Sequence, residues 1–330
     1  MVAFIGRVTT VRAAAAALAG AACVRIGLQP VEQQPVAPAL AAPGVLLNTG
    51  SSVPSLGFGT YLTNGEELLS ALLVAIRIGY RHIDTAAGYC NEQVVAAAID
   101  ESGHARSDFF ITTKLWSDSH GKQKTQKAIA KSLRRLQTDY VDLYLIHAPD
   151  NQGESAEEIR CLRREAWLAM EEEHRRGALR AIGVSNFEPR HIEALLQNED
   201  GTPREGAIIP AVNQIEVHPH FDQRVTRGYC AQMGIVVEAY GSIQGDGVLT
   251  DPLVKQLATQ YGRTPAQIAL RHTLQRGTVV LAKSLTPRRI SENARIFDFH
   301  LNEEDCAALD ALASDPQRDG RSYWDNSDVP

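Results

Sequence analysis

No excess of basic residues marks this 330-residue chain: 33 Lys and Arg stand against 39 Asp and Glu, a formal net charge of −6. Without a basic face there is no electrostatic reason to approach a polyanion, so nucleic acid is not an expected partner. Cysteine is sparse. The five cysteines, Cys23, Cys90, Cys161, Cys230 and Cys306, are odd in number and scattered, with no C-x-x-C pair. That spacing points to a reduced compartment and to no metal centre. No apolar run reaches the roughly 20 residues that a membrane-crossing helix needs, so no membrane is expected as a partner. Acidic residues are missing before Glu32, while Arg7, Arg12 and Arg25 surround an Ala-rich stretch over residues 13–24. That segment resembles an organellar transit peptide, with a secretory signal or a disordered extension as competing readings. Residues 30–43 are Pro-rich and read as a linker. Residues 1–44 therefore read as an Ala/Pro-rich N-terminal extension or targeting segment, and residues 45–330 as the folded domain. The expected location is the cytoplasm, or an organelle if the first segment is a transit peptide.

What is present is an ordinary globular composition, 44% apolar and 22% charged, sufficient for a sizeable core. From Val45 onward, short apolar runs alternate with longer segments of helical period, the pattern of repeated βα units. VLLNTG followed by SSVPSLGFG suggests an opening β-hairpin, with turn chemistry over Asn48–Ser51. Strand-like runs follow at residues 56–59, 82–85, 109–113, 141–147, 181–184, 211–215, 236–240 and 278–282. Helical patterns at residues 66–78, 92–102 and 122–136 separate the first four. The glycine fingerprint G-x-G-x-x-G of an open dinucleotide-binding sheet is missing after the first strand. Eight strands without it predict an α/β fold, a closed (β/α)8 TIM barrel with an N-terminal β-hairpin. Two surplus helices, at residues 251–260 and 303–313, would cover its outside or bottom.

In such a barrel, reactive groups gather where strands end and βα loops begin. Asp84 closes the second predicted strand, Lys114 the third and His147 the fourth, and Tyr89 lies on the loop after Asp84. Singly, each has a plainer role: Asp84 as a helix cap, Lys114 as a surface cation, His147 as a satisfied core histidine. Together, at three successive strand ends, they describe a proton-transfer site. Reduction of a carbonyl by hydride needs a proton for the developing alkoxide, and a phenol is a poor donor near neutrality unless neighbours shift it. Lys114 would favour the phenolate of Tyr89, with Asp84 holding the lysine and His147 orienting the carbonyl oxygen.

GYRHIDTAAGYCNE, residues 79–92, resembles the signature segment of the aldo-keto reductases. ITTKLW at 111–116, DLYLIHAP at 142–149, GVSNF at 183–187 and AKSLTPRRISEN at 282–293 match further family segments in order, so the likeness spans about residues 45–324. The resemblance implies that Asp84, Tyr89, Lys114 and His147 form a catalytic tetrad. It implies that Ser185, Asn186 and Gln214 hold a nicotinamide carboxamide, with Tyr240 stacked under the ring. Lys283, Ser284, Thr286, Arg289 and Asn293 would bind the rest of the cofactor, Arg289 gripping a 2′-phosphate and so favouring NADPH. Substrate contacts would come from Tyr61, Trp116, His147 and Ala148. Where many members place tryptophan, this chain has Tyr61 and Ala148, which predicts a pocket wider and less aromatic on that side. The segment GSIQGDG replaces the usual loop after Tyr240, and the tail ending SYWDNSDVP is short, which favours broad substrate acceptance. The implied activity is NADPH-dependent reduction of small aldehydes or ketones by a monomer. An NADPH-binding redox sensor with little turnover is the alternative. A metal-dependent hydrolase would need more ligands than Asp84, His147 and the pair His218 and His220 supply.

Overall fold

The computed structural model of the chain describes residue 40 and residues 42–198, 200–243, 247–314 and 320–330. Most of the proposed targeting segment, and residues 244–246 of the loop after Tyr240, lie outside the described residues. Strands β1 (Gly44–Leu46) and β2 (Ser52–Pro54) pair antiparallel. The turn between them is closed by the Leu47 amide donating to the Ser51 carbonyl at 2.8 Å. Eight parallel strands follow: β3 (Leu56–Gly59), β4 (His82–Asp84), β5 (Phe110–Leu115), β6 (Leu143–Ile146), β7 (Ile182–Ser185), β8 (Val212–Glu216), β9 (Val236–Tyr240) and β10 (Val279–Ala282). They close into a barrel in chain order, with β10 pairing back to β3. The expected hairpin and eight-stranded barrel are both present.

Both faces of each strand are covered, which is why runs such as Leu-Tyr-Leu-Ile in β6 do not alternate with polar residues. The helices are α1 (Gly65–Ile78), α2 (Glu92–Ser102), α3 (Lys122–Arg135), α4 (Ala156–Arg175), α5 (Pro189–Leu196), α6 (Arg224–Gln232), α7 (Pro252–Tyr261), α8 (Pro265–Gln275), α9 (Pro287–Ala294) and α10 (Glu303–Leu312). Local chemistry starts and stops them. Asn64 accepts from the Gly65 amide to open α1, and Gly79, at φ 114, ends it with its amide shared between two carbonyls of the last turn. Asp251 caps α7 ahead of Pro252, and Thr264 with Gln267 forms a capping box on α8. The two surplus helices are α7 and α10; they pack with α8 around Val254, Leu257, Ile268, Leu301 and Leu309 on the barrel exterior.

Leu47 and Val53 of the hairpin join Phe110, Leu143, Ala181, Val212 and Val279 in one apolar cluster at the starting ends of the strands. The hairpin thus plugs one mouth of the barrel. All the polar strand-end residues singled out above face the other mouth.

Candidate active site

Asp84 is the last residue of β4, and Lys114 is the fifth of six residues in β5, which runs to Leu115, two residues beyond the predicted end. Lys114 is 0% exposed. Its ammonium reaches both Asp84 oxygens at 2.7 Å, the Thr85 carbonyl at 3.0 Å and the Tyr89 hydroxyl at 3.4 Å. Asp84 also accepts from the Gln214 amide at 2.8 Å. Tyr89 ends a short 3-10 turn, Ala87–Tyr89, and Cys90 follows in the left-handed region at φ 57, which swings the chain into α2. The side chains of the proton-transfer cluster therefore meet at one point.

The electrostatics differ from the expectation in one respect. Burial first, and then the negative charge of Asp84, holds the Tyr89 phenol well above its ordinary value of 10. Lys114 does not drive it to phenolate because the carboxylate lies at 2.7 Å from the ammonium and takes up its charge, whereas the phenol lies at 3.4 Å. With Lys114 donating to the phenol oxygen, the hydroxyl hydrogen is left to point elsewhere. His147 follows β6, its ring 5.5 Å from that of Tyr89. Burial, with the Lys114 charge second, holds its pKa well below 6.5, so the imidazole is neutral at physiological pH.

Asp84, Tyr89 and His147 line a recess of about 100 Å³ together with Tyr61, Trp116, Ser185, Asn186, Gln214, Tyr240, Lys283, Tyr323 and Trp324, with Lys114 buried behind them. Ser185 closes β7 and donates to the Gln214 carbonyl at 2.7 Å. Asn186 sits in the left-handed region at φ 63, a conformation asparagine tolerates better than most residues. Its amide donates to the His147 carbonyl at 2.8 Å, and its side-chain oxygen accepts from the Tyr240 hydroxyl at 2.6 Å. A second recess of about 490 Å³ is lined by Ser284, Thr286, Arg289 and Asn293, and shares Lys283 and Ile243 with the first. Neither Lys283 nor Arg289 has an ion pair or hydrogen bond among the described residues. Thr286 stands at the N-terminus of α9. Two unpaired cations beside a helix N-terminus, joined to an aromatic recess, fit a phosphate-bearing dinucleotide.

Of the expected substrate contacts, Tyr61 lies at the rim with its ring 5.1 Å from Tyr89, and Trp116 forms a wall 5.0 Å from His147. Ala148 does not. It is fully buried and absent from the lining, because the chain turns inward after His147. Two further aromatic rings reach the recess from the C-terminal segment. Trp324 lies 6.0 Å from His147 and 6.4 Å from Trp116, and Tyr323 lies 5.6 Å from Tyr240. Sequence reasoning missed both; the only signal was an aromatic pair in a polar tail.

His218 pairs with Glu216 at 3.1 Å and His220 with Asp251 at 2.9 Å. Among the described residues no group of three or more His, Cys, Asp or Glu is placed to hold a metal ion. Likewise no helix there is long and apolar enough to cross a membrane.

The sequence profile of the Aldo/keto reductase family matches residues 55–314, which hold all of the strand-end cluster. The chain belongs to that family. It is accordingly an oxidoreductase whose substrate class is small carbonyl compounds. A glyoxal reductase of Bacillus subtilis (strain 168) is 42% identical over 272 residues, covering 82% of this chain and 93% of the relative. The methylglyoxal reductase DkgA of Escherichia coli (strain K12) is 38% identical over 276 residues, covering 83% and 94%. Among solved structures, an aldo/keto reductase from Brucella melitensis superposes with a TM-score of 0.75 at 41% identity, covering 82% of this chain and all of that one.

Proposed function

We propose that this aldo/keto reductase uses NADPH to reduce aldehydes or ketones to alcohols, with Tyr89 as the proton donor. The observation that carries the reading is the buried Asp84–Lys114–Tyr89 chain opening on an aromatic recess that continues into a cationic one. Ser185, Asn186, Gln214 and Tyr240 would hold the nicotinamide end. Lys283, Ser284, Thr286, Arg289 and Asn293 would hold the phosphate end. The reduced nicotinamide supplies the hydride when bound.

The protein's own residues do the rest. Neutral His147 orients the carbonyl oxygen toward Tyr89. As negative charge develops on that oxygen, Tyr89 gives up its hydroxyl proton, and Lys114 stabilises the phenolate left behind. Asp84 keeps the ammonium aimed and charged throughout. A phenol held neutral by burial suits this order, since it must carry its proton until the alkoxide forms.

The test is Tyr89→Phe. NADPH binding, read by fluorescence titration, should be unchanged, while turnover of methylglyoxal falls by about 100-fold or more. Near-normal turnover in that variant would remove Tyr89 from the role. Tight NADPH binding with negligible turnover by the unsubstituted chain would favour a sensor instead.

A further inference from the structure

The polar chain behind the recess does not end at Asp84. The Gln214 side-chain nitrogen donates to Asp84 Oδ2 at 2.8 Å and also to Glu238 Oε2 at 3.0 Å. Glu238 is the middle residue of β9, in direct register with Gln214 on β8, and is 0% exposed. Ionised Asp84 can only accept, so the atom between the two carboxyl groups is the amide nitrogen and not its oxygen. Both amide hydrogens are spent inward. The side-chain oxygen of Gln214 has no partner among the described residues and is left to take a donor from the recess that Gln214 lines.

Charge decides the state of Glu238. The titratable or charged groups that face it from neighbouring strands are His82 and Asp84 on β4 and Lys114 on β5. From β8 comes Gln214, from β10 Val279 in register, and Tyr240, further along β9, turns its hydroxyl to Asn186 at 2.6 Å. Lys114 is committed to both Asp84 oxygens, the Thr85 carbonyl and Tyr89. His82 is no second cation: its Nε2 is engaged with Thr112 at 3.1 Å, lies 3.9 Å from Glu238 Oε1, and burial lowers its pKa to about 3. One ammonium therefore serves two carboxyl groups in a dry interior, where a second carboxylate is an uncompensated charge. Asp84 is met by Lys114 on both oxygens and by Gln214, whereas Glu238 has Gln214 alone and its Oε1 is buried without a partner. Glu238 is thus the group that keeps a proton, on Oε1. Burial, with the Asp84 charge second, holds its pKa up at about 8.

We propose that Glu238 is a positioning residue of the reductase: as a neutral acid it fixes the Gln214 amide and leaves Lys114 to Asp84 and Tyr89, and as a carboxylate it slows proton delivery from Tyr89. The proposal rests on the reductase reading above. A second negative charge beside Asp84 makes phenolate at Tyr89 less favourable, so the phenol becomes a weaker donor. Glu238 does not line the recess, and its influence is carried by the amide and by charge.

Two measurements test this. In the full chain without cofactor, infrared titration should show a carboxylic-acid C=O band that disappears with a midpoint near pH 8 and is missing in Glu238→Gln. With NADPH bound, the single-turnover rate of methylglyoxal reduction should fall about threefold or more from pH 7 to pH 9 in the unsubstituted chain and stay nearly level over that range in Glu238→Gln. Glu238→Leu removes the acceptor of the second amide hydrogen and should slow the step about fivefold at every pH, the worth of one hydrogen bond. Glu238→Gln, which can still accept, should recover part of that loss. A level profile in the unsubstituted chain, an alkaline fall that persists in Glu238→Gln, or the absence of the acid band overturns the proposal. If the unsubstituted chain reduces no carbonyl compound, the reductase reading fails separately, and the infrared titration still decides the protonation of Glu238.

Discussion

Lys114 commits its charge to Asp84 inside the barrel, and neither side chain is more than 5% exposed. Removing one member of such a pair leaves the other charged and desolvated, which costs about 3–5 kcal/mol. Lys114→Met should therefore lower unfolding free energy in urea by that order as well as slow turnover. A loss below about 1 kcal/mol would mean that water reaches Asp84 in the variant. At this scale the sequence was informative because Asp84, Lys114 and His147 fall at strand ends, where position alone implies a shared mouth. It was less informative about charge. The direction of the Tyr89 shift depends on burial and on which neighbour lies nearer the ammonium, and neither can be read from spacing. Ala148 shows the same limit: its place beside His147 in the chain suggested a wall residue, but the backbone turns it into the core.

Helix α9 and the loop before it show what one element contributes. Thr286 opens the helix, Pro287 begins it, and Arg289 extends from its first turn with 1 exposed guanidinium free of partners among the described residues. A charge-assisted contact from such a group to phosphate is worth about 1.5–3 kcal/mol. Arg289→Ala should then weaken NADPH binding by about tenfold or more while leaving NADH binding nearly unchanged, as read by fluorescence titration at fixed ionic strength. Equal losses for both cofactors would assign Arg289 to the shared part of the dinucleotide. The sequence reading placed Ser284, Thr286 and Arg289 after the last strand through the family resemblance, but it did not mark the helix that Pro287 begins. The segment bearing Trp324 was not legible. It has no helical or strand period, and its course is set by Glu216, Asn186, Arg190 and Arg163, each from a different element.

Across the whole molecule, buried titratable groups make stability depend on pH in two opposing ways. Burial lowers His82 and His120 from 6.5 to about 3 and His191 to about 4, and holds His147 well below 6.5. The unfolded chain binds these protons more readily, so their contribution is present above pH 6.5 and is lost as pH falls toward 3, at about 1.4 kcal/mol per pH unit for each group. Burial, reinforced by the charge of Asp84, raises Glu238 from 4.5 to about 8. Here the folded chain holds the proton, so that contribution is complete below pH 4.5 and is lost as pH rises through 8. Between pH 4.5 and 6.5 the histidines outweigh the glutamate; above 6.5 they are neutral in both states and the glutamate sets the slope. Urea unfolding at pH 5.5, 6.5 and 8 should place the maximum near 6.5, and Glu238→Gln should flatten the alkaline side. A decline above pH 6.5 that is unaltered in Glu238→Gln would assign it to other groups. By itself the sequence determined the barrel, because apolar runs separated by capped helical segments have one closed parallel solution here. It also determined which residues stand at the strand ends. Only the tertiary structure decided the protonation state of those residues and the shape of the recess, because both depend on groups brought together from strands and a tail far apart in the chain.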